Sequence, residues 1–183
     1  MQTIHDLVQE HRAIEELLAH LERILDEARR DGQVDGEAAA RLFEFLESEV
    51  DEHHQRKEEL LLLRVGERSA GEDLPRRALR EHAEERRLLA LARDNCCGAR
   101  FGEPNCVAAV ERFGHSYLAL QRAHSSWEER ELFPRIVPLL DAEDDRVLGE
   151  SFRRMDRVRG QSLCTTARAL AEWLDQRSSP VRA

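Results

Sequence analysis

"DEHHQRKEEL", residues 51–60, sets two histidines and a lysine among acidic residues inside a stretch that otherwise reads as helix. A surface helix keeps such residues on its wet face, so the fold turns on whether part of this one points inward. "AHSSWEERELFP", residues 123–134, repeats the pattern, with a histidine four residues ahead of a glutamate. Residues four apart share one face of a helix. His54 with Glu58, and His124 with Glu128, can therefore each aim two metal-ligating side chains at one point.

Outward from these stretches the chain reads as helices. Residues 4–28 carry Ile4, Leu7, His11, Ile14, Leu18, Leu21, Leu25 and Ala28 in steps of three and four, the apolar stripe of a bundle helix. "RDGQVDGE" breaks the pattern with two glycines, and a second helix is expected from about Ala38 to Val65. "ERSAGEDLP" ends it, and Pro75 suits the first turn of a third helix carrying Leu79, Leu89 and Ala92 to Cys96. After "GARFGEPN" a fourth begins near Pro104, carries Val107, Val110, Tyr117, Leu120 and Leu132, and kinks or ends at Pro134 and Pro138. "DAEDD" opens a fifth, reaching about Leu174. Short loops between helices imply an all-α, up-down antiparallel four-helix bundle with an additional C-terminal helix. The expected division is a bundle over 1–140, a C-terminal helix over 141–176 and a disordered tail over 177–183.

Composition narrows the function. The 183 residues are 41% hydrophobic and 36% charged with a net charge of -9, which argues against nucleic acid or an anionic membrane as partner. The longest aliphatic run, Leu60–Leu63, is far too short to span a bilayer, and "MQTIHDLVQEH" lacks the features of a secretory signal. A cytoplasmic protein with reduced thiols is the expectation. Cys96, Cys97, Cys106 and Cys164 form no C-x-x-C pair, and a Cys96–Cys106 bridge is the alternative.

His11, His54, His82 and His124 fall one on each of four stripes. His20 and His115 lie nine residues from an inward histidine and should face outward, while His5 and His53 also sit off the stripe. One histidine on an apolar face is usually a hydrogen-bonded core residue. Four imidazoles and two carboxylates without partners would cost on the order of several kcal/mol, which shared coordination to a metal removes. The spacing is also a repeat: His11 to His54 is 43 residues, and His82 to His124 is 42. A duplicated helical hairpin then supplies two nitrogens and one carboxylate from each half, a dinuclear arrangement whose mixed donors suit iron or manganese better than zinc.

"LVQEHRAIEELLAHLE", "DEHHQRKEELLL", "LREHAEERRLLAL" and "AHSSWEERELFP" resemble the hemerythrin-like, or HHE cation-binding, family over residues 7 to about 140. The resemblance implies two non-heme iron ions, oxo- and carboxylate-bridged, with ligands carried over to His11, His54, Glu58, His82 and His124. Oxygen carriers of this family have a second histidine on the third helix, where this chain has Arg86. Their fourth-helix aspartate falls on Glu129, whereas the helical repeat favours Glu128 as the sixth ligand. The resulting pattern is similar to that of di-iron proteins of iron–sulfur cluster repair and nitric oxide stress. Four histidines split two and two imply a centre that reacts with or senses dioxygen, peroxide or nitric oxide in oxidative or nitrosative stress. Iron storage or a cluster-repair donor is the alternative. Glu15 and Glu85 are candidate extra ligands, each with an equally good surface reading, and Trp127 and Tyr117 read as packing near the site. Lys57 reads as a solvated charge, and the fifth helix either covers the bundle or pairs with a second chain. Two contrasting classes remain. A ferritin-like oxidase wants Glu three residues before His, which occurs nowhere here. A metal-free helical interaction module would keep the histidines as core residues.

Overall fold

The computed structural model describes residues 1–66 and 74–178, and these contain helices and no strand. The first bundle helix, α1 (Gln2–Asp31), buries Leu7, His11, Ile14, Leu18, Leu21, Leu25 and Ala28. It stops at Gly32, whose left-handed φ of 67° turns its N–H back to the Ala28 carbonyl. Asp35 caps α2 (Gly36–Phe45) by accepting the Ala38 N–H at 3.1 Å. The helix then runs through a π-helical segment, Leu46–His54, into α3 (Gln55–Gly66). Most of the expected "ERSAGEDLP" loop lies outside the described residues.

The third bundle helix is α4 (Leu74–Asp94), followed by a short α5 (Cys96–Arg100) where a loop was expected. The fourth is α6 (Pro104–Trp127), which continues through a second π-helical segment, Glu128–Leu132, into α7 (Phe133–Ile136). Pro134 has no N–H to donate, and the wider turn just before it, where the Phe133 N–H reaches the Glu128 carbonyl, resets the register. A 3-10 turn, Val137–Leu139, ends the bundle at Pro138. Cys96, Cys97, Cys106 and Cys164 are all free thiols, and burial pushes the Cys96 pKa up to about 12.

The C-terminal segment departs from the single helix expected. It forms α8 (Ala142–Arg159), started by an Asp141–Asp144 capping box, and α9 (Leu163–Ser178). The break is Gly160, which ends α8 with a φ of 86°. Arg177 and Ser178, assigned to a tail from sequence, belong to α9, and residues 179–183 lie outside the described residues. α8 packs on α1 and α3, and α9 on α1 and α2, so this pair covers the first hairpin of the bundle. No helix among the described residues is long and apolar enough to cross a membrane.

Two apolar layers fill the bundle. The larger includes Leu17, Leu21, Leu42, Phe43, Leu89, Val110 and Tyr117. The smaller includes Leu7, Leu61, Val65, Ala78, Trp127, Phe133 and Phe152. Every bundle helix crosses from one layer to the other at its inward histidine: His11 between Leu7 and Ile14, His54 between Val50 and Leu61, His82 between Ala78 and Leu89, His124 between Tyr117 and Trp127. The stripe of α4 runs through Ala78 and Glu85, and Leu79, expected inward, is 46% exposed.

Candidate metal centre

The polar layer between the two cores contains all six side chains singled out from the sequence. His11, His54, Glu58, His82, His124 and Glu128 are buried, His11 the most accessible at 5%. Glu58 is central. Its Oε1 lies 3.2 Å from His11 Nε2 and 2.9 Å from His54 Nε2, and its Oε2 lies 3.2 Å from His82 Nε2. Glu128 spans the other side, with Oε2 3.3 Å from His11 Nε2 and Oε1 3.4 Å from His124 Nε2. The two Nε2 atoms of His82 and His124 are 3.0 Å apart. Donor atoms roughly 3 Å apart are what ligands about 2.1 Å from a common ion adopt.

These atoms form two overlapping groups able to hold metal, His11/His54/Glu58 and Glu58/His82/His124/Glu128, sharing Glu58. The imidazoles pair in matching geometry: His11 and His54 at 4.9 Å and 70°, His82 and His124 at 4.8 Å and 74°. His54 Nε2, Glu58 Oε2 and both Glu128 oxygens are buried without a hydrogen-bond partner. Such atoms are expensive to bury unless a cation or proton satisfies them, so the donor set fits a metal.

Behind the histidines stands a ring of carboxylates that follows the same twofold pattern. Glu10, just before His11, bonds His54 Nδ1 at 2.8 Å; Glu81, just before His82, bonds His124 Nδ1 at 2.8 Å. Glu129, just after Glu128, bonds His11 Nδ1 at 3.0 Å. The fourth counterpart, Glu59, stands 4.0 Å from His82 Nδ1, because Arg86 and Arg56 hold its oxygens at 3.0 and 3.1 Å. A carboxylate on Nδ1 fixes the tautomer that leaves Nε2 free to face a metal. Sequence reasoning missed Glu10 and Glu81, although each directly precedes a candidate ligand.

Charge is distributed unevenly. Burial opposes ionisation of Glu58, but His54, His11 and His82 overcome it and hold its pKa well below the usual carboxylate range. Burial and the neighbouring Glu58 push Glu128 well above it. Two carboxylates this close cannot both stay ionised without a cation between them. Burial pulls the His11 imidazole down, but Glu128, Glu129 and Glu58 reverse this and raise it well above its ordinary value.

Other sequence expectations are placed as follows. Glu15 is exposed and pairs with Arg122. Glu85 is fully buried, accepting a 2.8 Å bond from the Gln55 amide and lying outside both groups able to hold metal. Arg86 is exposed and turned toward Glu59. Trp127 packs 6.1 Å from His124 under Arg77, and Tyr117 donates to Gln121 Oε1 at 3.3 Å. His20 and His115 are half-buried away from the site, beside Asp175 and Asp26, and His5 is exposed. Two expectations are overturned. Lys57 is 2% exposed and pairs with Glu10 and Asp156, and His53 is 3% exposed and bonds Asp156 at 2.7 Å. Both lie under α8, part of the C-terminal segment expected either to cover the bundle or to pair with a second chain, and the π-helical turn widens the arc of buried positions there.

Residues 2–136 match the family model described as the hemerythrin HHE cation binding domain. No curated protein and no solved structure matches the chain significantly.

Proposed function

The chain belongs to the hemerythrin HHE cation-binding family, and on that premise we propose that it is a non-heme di-iron protein that reacts with or senses dioxygen, peroxide or nitric oxide. The observation that supports this best is the double span of the carboxylates: Glu58 and Glu128 each reach histidines of both hairpins. One ion would take His11 and His54, the other His82 and His124, with both carboxylates between them. Nitrogen and oxygen donors without thiolate favour iron over a structural zinc.

A bound iron pair supplies Lewis acidity and electrons for small oxygen- or nitrogen-containing molecules. The chain's own residues prepare the place. Glu10, Glu81 and Glu129 orient the imidazoles, while Trp127, Phe133 and Leu7 keep water from the layer. A cleft of about 310 Å³ between α1 and α6, lined by His11, Glu15, Arg122, Ser125, Glu129 and Arg130, offers a small molecule an approach to the His11 edge. Because Arg86 faces outward, α4 contributes one imidazole, and the histidines divide evenly between the two positions. An even division leaves both ions short of saturation, which favours reaction over reversible carriage.

Metal analysis of protein purified without an affinity tag should find close to two ions per chain, mainly iron. Stopped-flow absorbance of the anaerobically reduced protein should show consumption of peroxide or nitric oxide and no oxy species that bleaches on degassing and returns on re-aeration. Absence of metal would remove the reading; a reversible oxy spectrum would make the protein a carrier. Iron released to a chelator on reduction would point instead to storage or to donation in iron–sulfur cluster repair.

A further inference from the structure

Beneath α8 lies a line of charges that reaches the centre from outside the residues matched by the family model. Asp156, on α8, accepts from Lys57 Nζ at 2.8 Å and from His53 Nε2 at 2.7 Å. Lys57 also donates to Glu10 Oε1, and the other oxygen of Glu10 accepts the proton on His54 Nδ1 at 2.8 Å. Lys57, Glu10 and His54 are 2%, 5% and 1% exposed, so this line runs through interior of low dielectric, where each link constrains the next. Arg159, further along α8, anchors the same helix to Glu49 at 2.8 Å.

The second hairpin handles the equivalent problem by itself. There Glu81 bonds His124 and is held by Arg77 of its own helix at 2.8 Å, and Arg77 is 42% exposed. The counterpart of Arg77 is thus Lys57, a cation too deep for water to solvate. An ammonium so placed needs close anionic partners for its donors, and beside Glu10 the second comes from α8. Without Asp156, Lys57 would draw wholly onto Glu10 and compete with His54 for that carboxylate.

We propose that Asp156 is a positioning residue for the ion at His11 and His54, acting through Lys57 and Glu10 on the orientation of His54; the C-terminal helix pair is then part of the metal site and not a passive cover. This inference rests on the di-iron reading above. It predicts an asymmetry that a purely structural role for Asp156 would not produce, because only one of the two metal positions is tied to α8.

The test is anaerobic titration of the full metal-free chain with ferrous iron against a chromophoric chelator, together with Mössbauer spectra of the loaded protein. Asp156→Asn should weaken one of the two ions by about tenfold or more, the usual size of an outer-partner effect, and leave the other unchanged. One of the two iron signals should shift accordingly. Asp156→Glu, which keeps the charge but displaces it, should weaken the same ion by less, and it also serves if the asparagine variant does not fold. Val158→Ala, at an 82% exposed position of α8, should bind both ions as wild type does. Equal weakening of both ions, or none, in a protein that binds two would overturn the inference and leave the di-iron reading standing. A wild-type chain that takes up no iron would remove both.

Discussion

Behind His54 in the first hairpin stands Glu10, 5% exposed, neutralised by a buried lysine beneath α8. Behind His124 in the second stands Glu81, half-buried, held by an arginine at the surface. The two hairpins carry the same candidate ligand types at nearly the same spacing, and the difference between them is what covers them. α8 and α9 pack on the first hairpin, so its supporting charges work where water screens them little. The second hairpin keeps its supporting charges in partial contact with solvent, and there His124 and Arg77 bring Glu81 down to about 2. The repeated spacing accounts for the likeness of the candidate ligands, and the added helices for the unlikeness of their surroundings.

The strongest test of the shared centre removes the residue common to both halves. Glu58→Ala should abolish metal binding, read as metal per chain, and lower the melting temperature of protein purified with its metal. The comparison itself is probed by Glu10→Gln against Glu81→Gln. Each should lower metal affinity by roughly 10- to 100-fold. Only Glu10→Gln should also destabilise the metal-free fold, by about 3 kcal/mol in chemical denaturation, because it strips a buried lysine of one of its anions. Equal destabilisation by the two would mean that the cover of α8 has no energetic consequence.

A smaller effect separates the halves one turn away. Asp51 stands three residues before His54, and its counterpart three before His124 is the neutral Gln121. Burial raises the Asp51 carboxyl from 3.8 to about 7. The folded chain thus keeps a proton that the unfolded chain releases above pH 3.8, so the stability tied to this group is greatest below that pH and is lost as pH rises through about 7. Asp51→Asn in the metal-free protein should therefore stabilise more at pH 8 than at pH 5, by on the order of one to a few kcal/mol, measured by urea denaturation at the two pH values. At the small end, His20→Ala and His115→Ala should leave metal content unchanged, since neither belongs to the polar layer.

Much of this was legible in the sequence because it obeys a constant helical period. The four stripes, the inward histidine on each and the two His–Glu pairs all follow from steps of three and four. What escaped did so where that period changes or where a partner is remote in sequence. In the π-helical segment Leu46–His54 the turn widens, which brings His53 inside although ideal spacing puts it off the stripe. Lys57 looked like a solvated charge because its partner Asp156 is 99 residues away. The apolar pattern continues past Gly160 toward Leu174, and only the left-handed backbone of that glycine shows that the helix ends there. On α4 the small Ala78 carries the stripe past the histidine, whereas the larger Leu79 drew attention to the wrong face.

The layering of the interior has a consequence for how the molecule opens. A slab of histidines and carboxylates separates two apolar clusters of unequal size, and only the larger extends over α9 as well as the bundle. In the metal-free chain the slab provides no apolar packing between the two clusters, which are joined across it by the four helices and by side-chain hydrogen bonds, so they need not melt together. The smaller cluster, drawn from α1, α3, α4, the end of α6, α7 and α8, is therefore expected to open at a lower free energy than the larger one. Its amide protons should exchange with deuterium sooner than those around Leu42 and Val110. Metal, bonding side chains of four helices at once, would fasten that unit to the rest and bring its exchange close to the global rate.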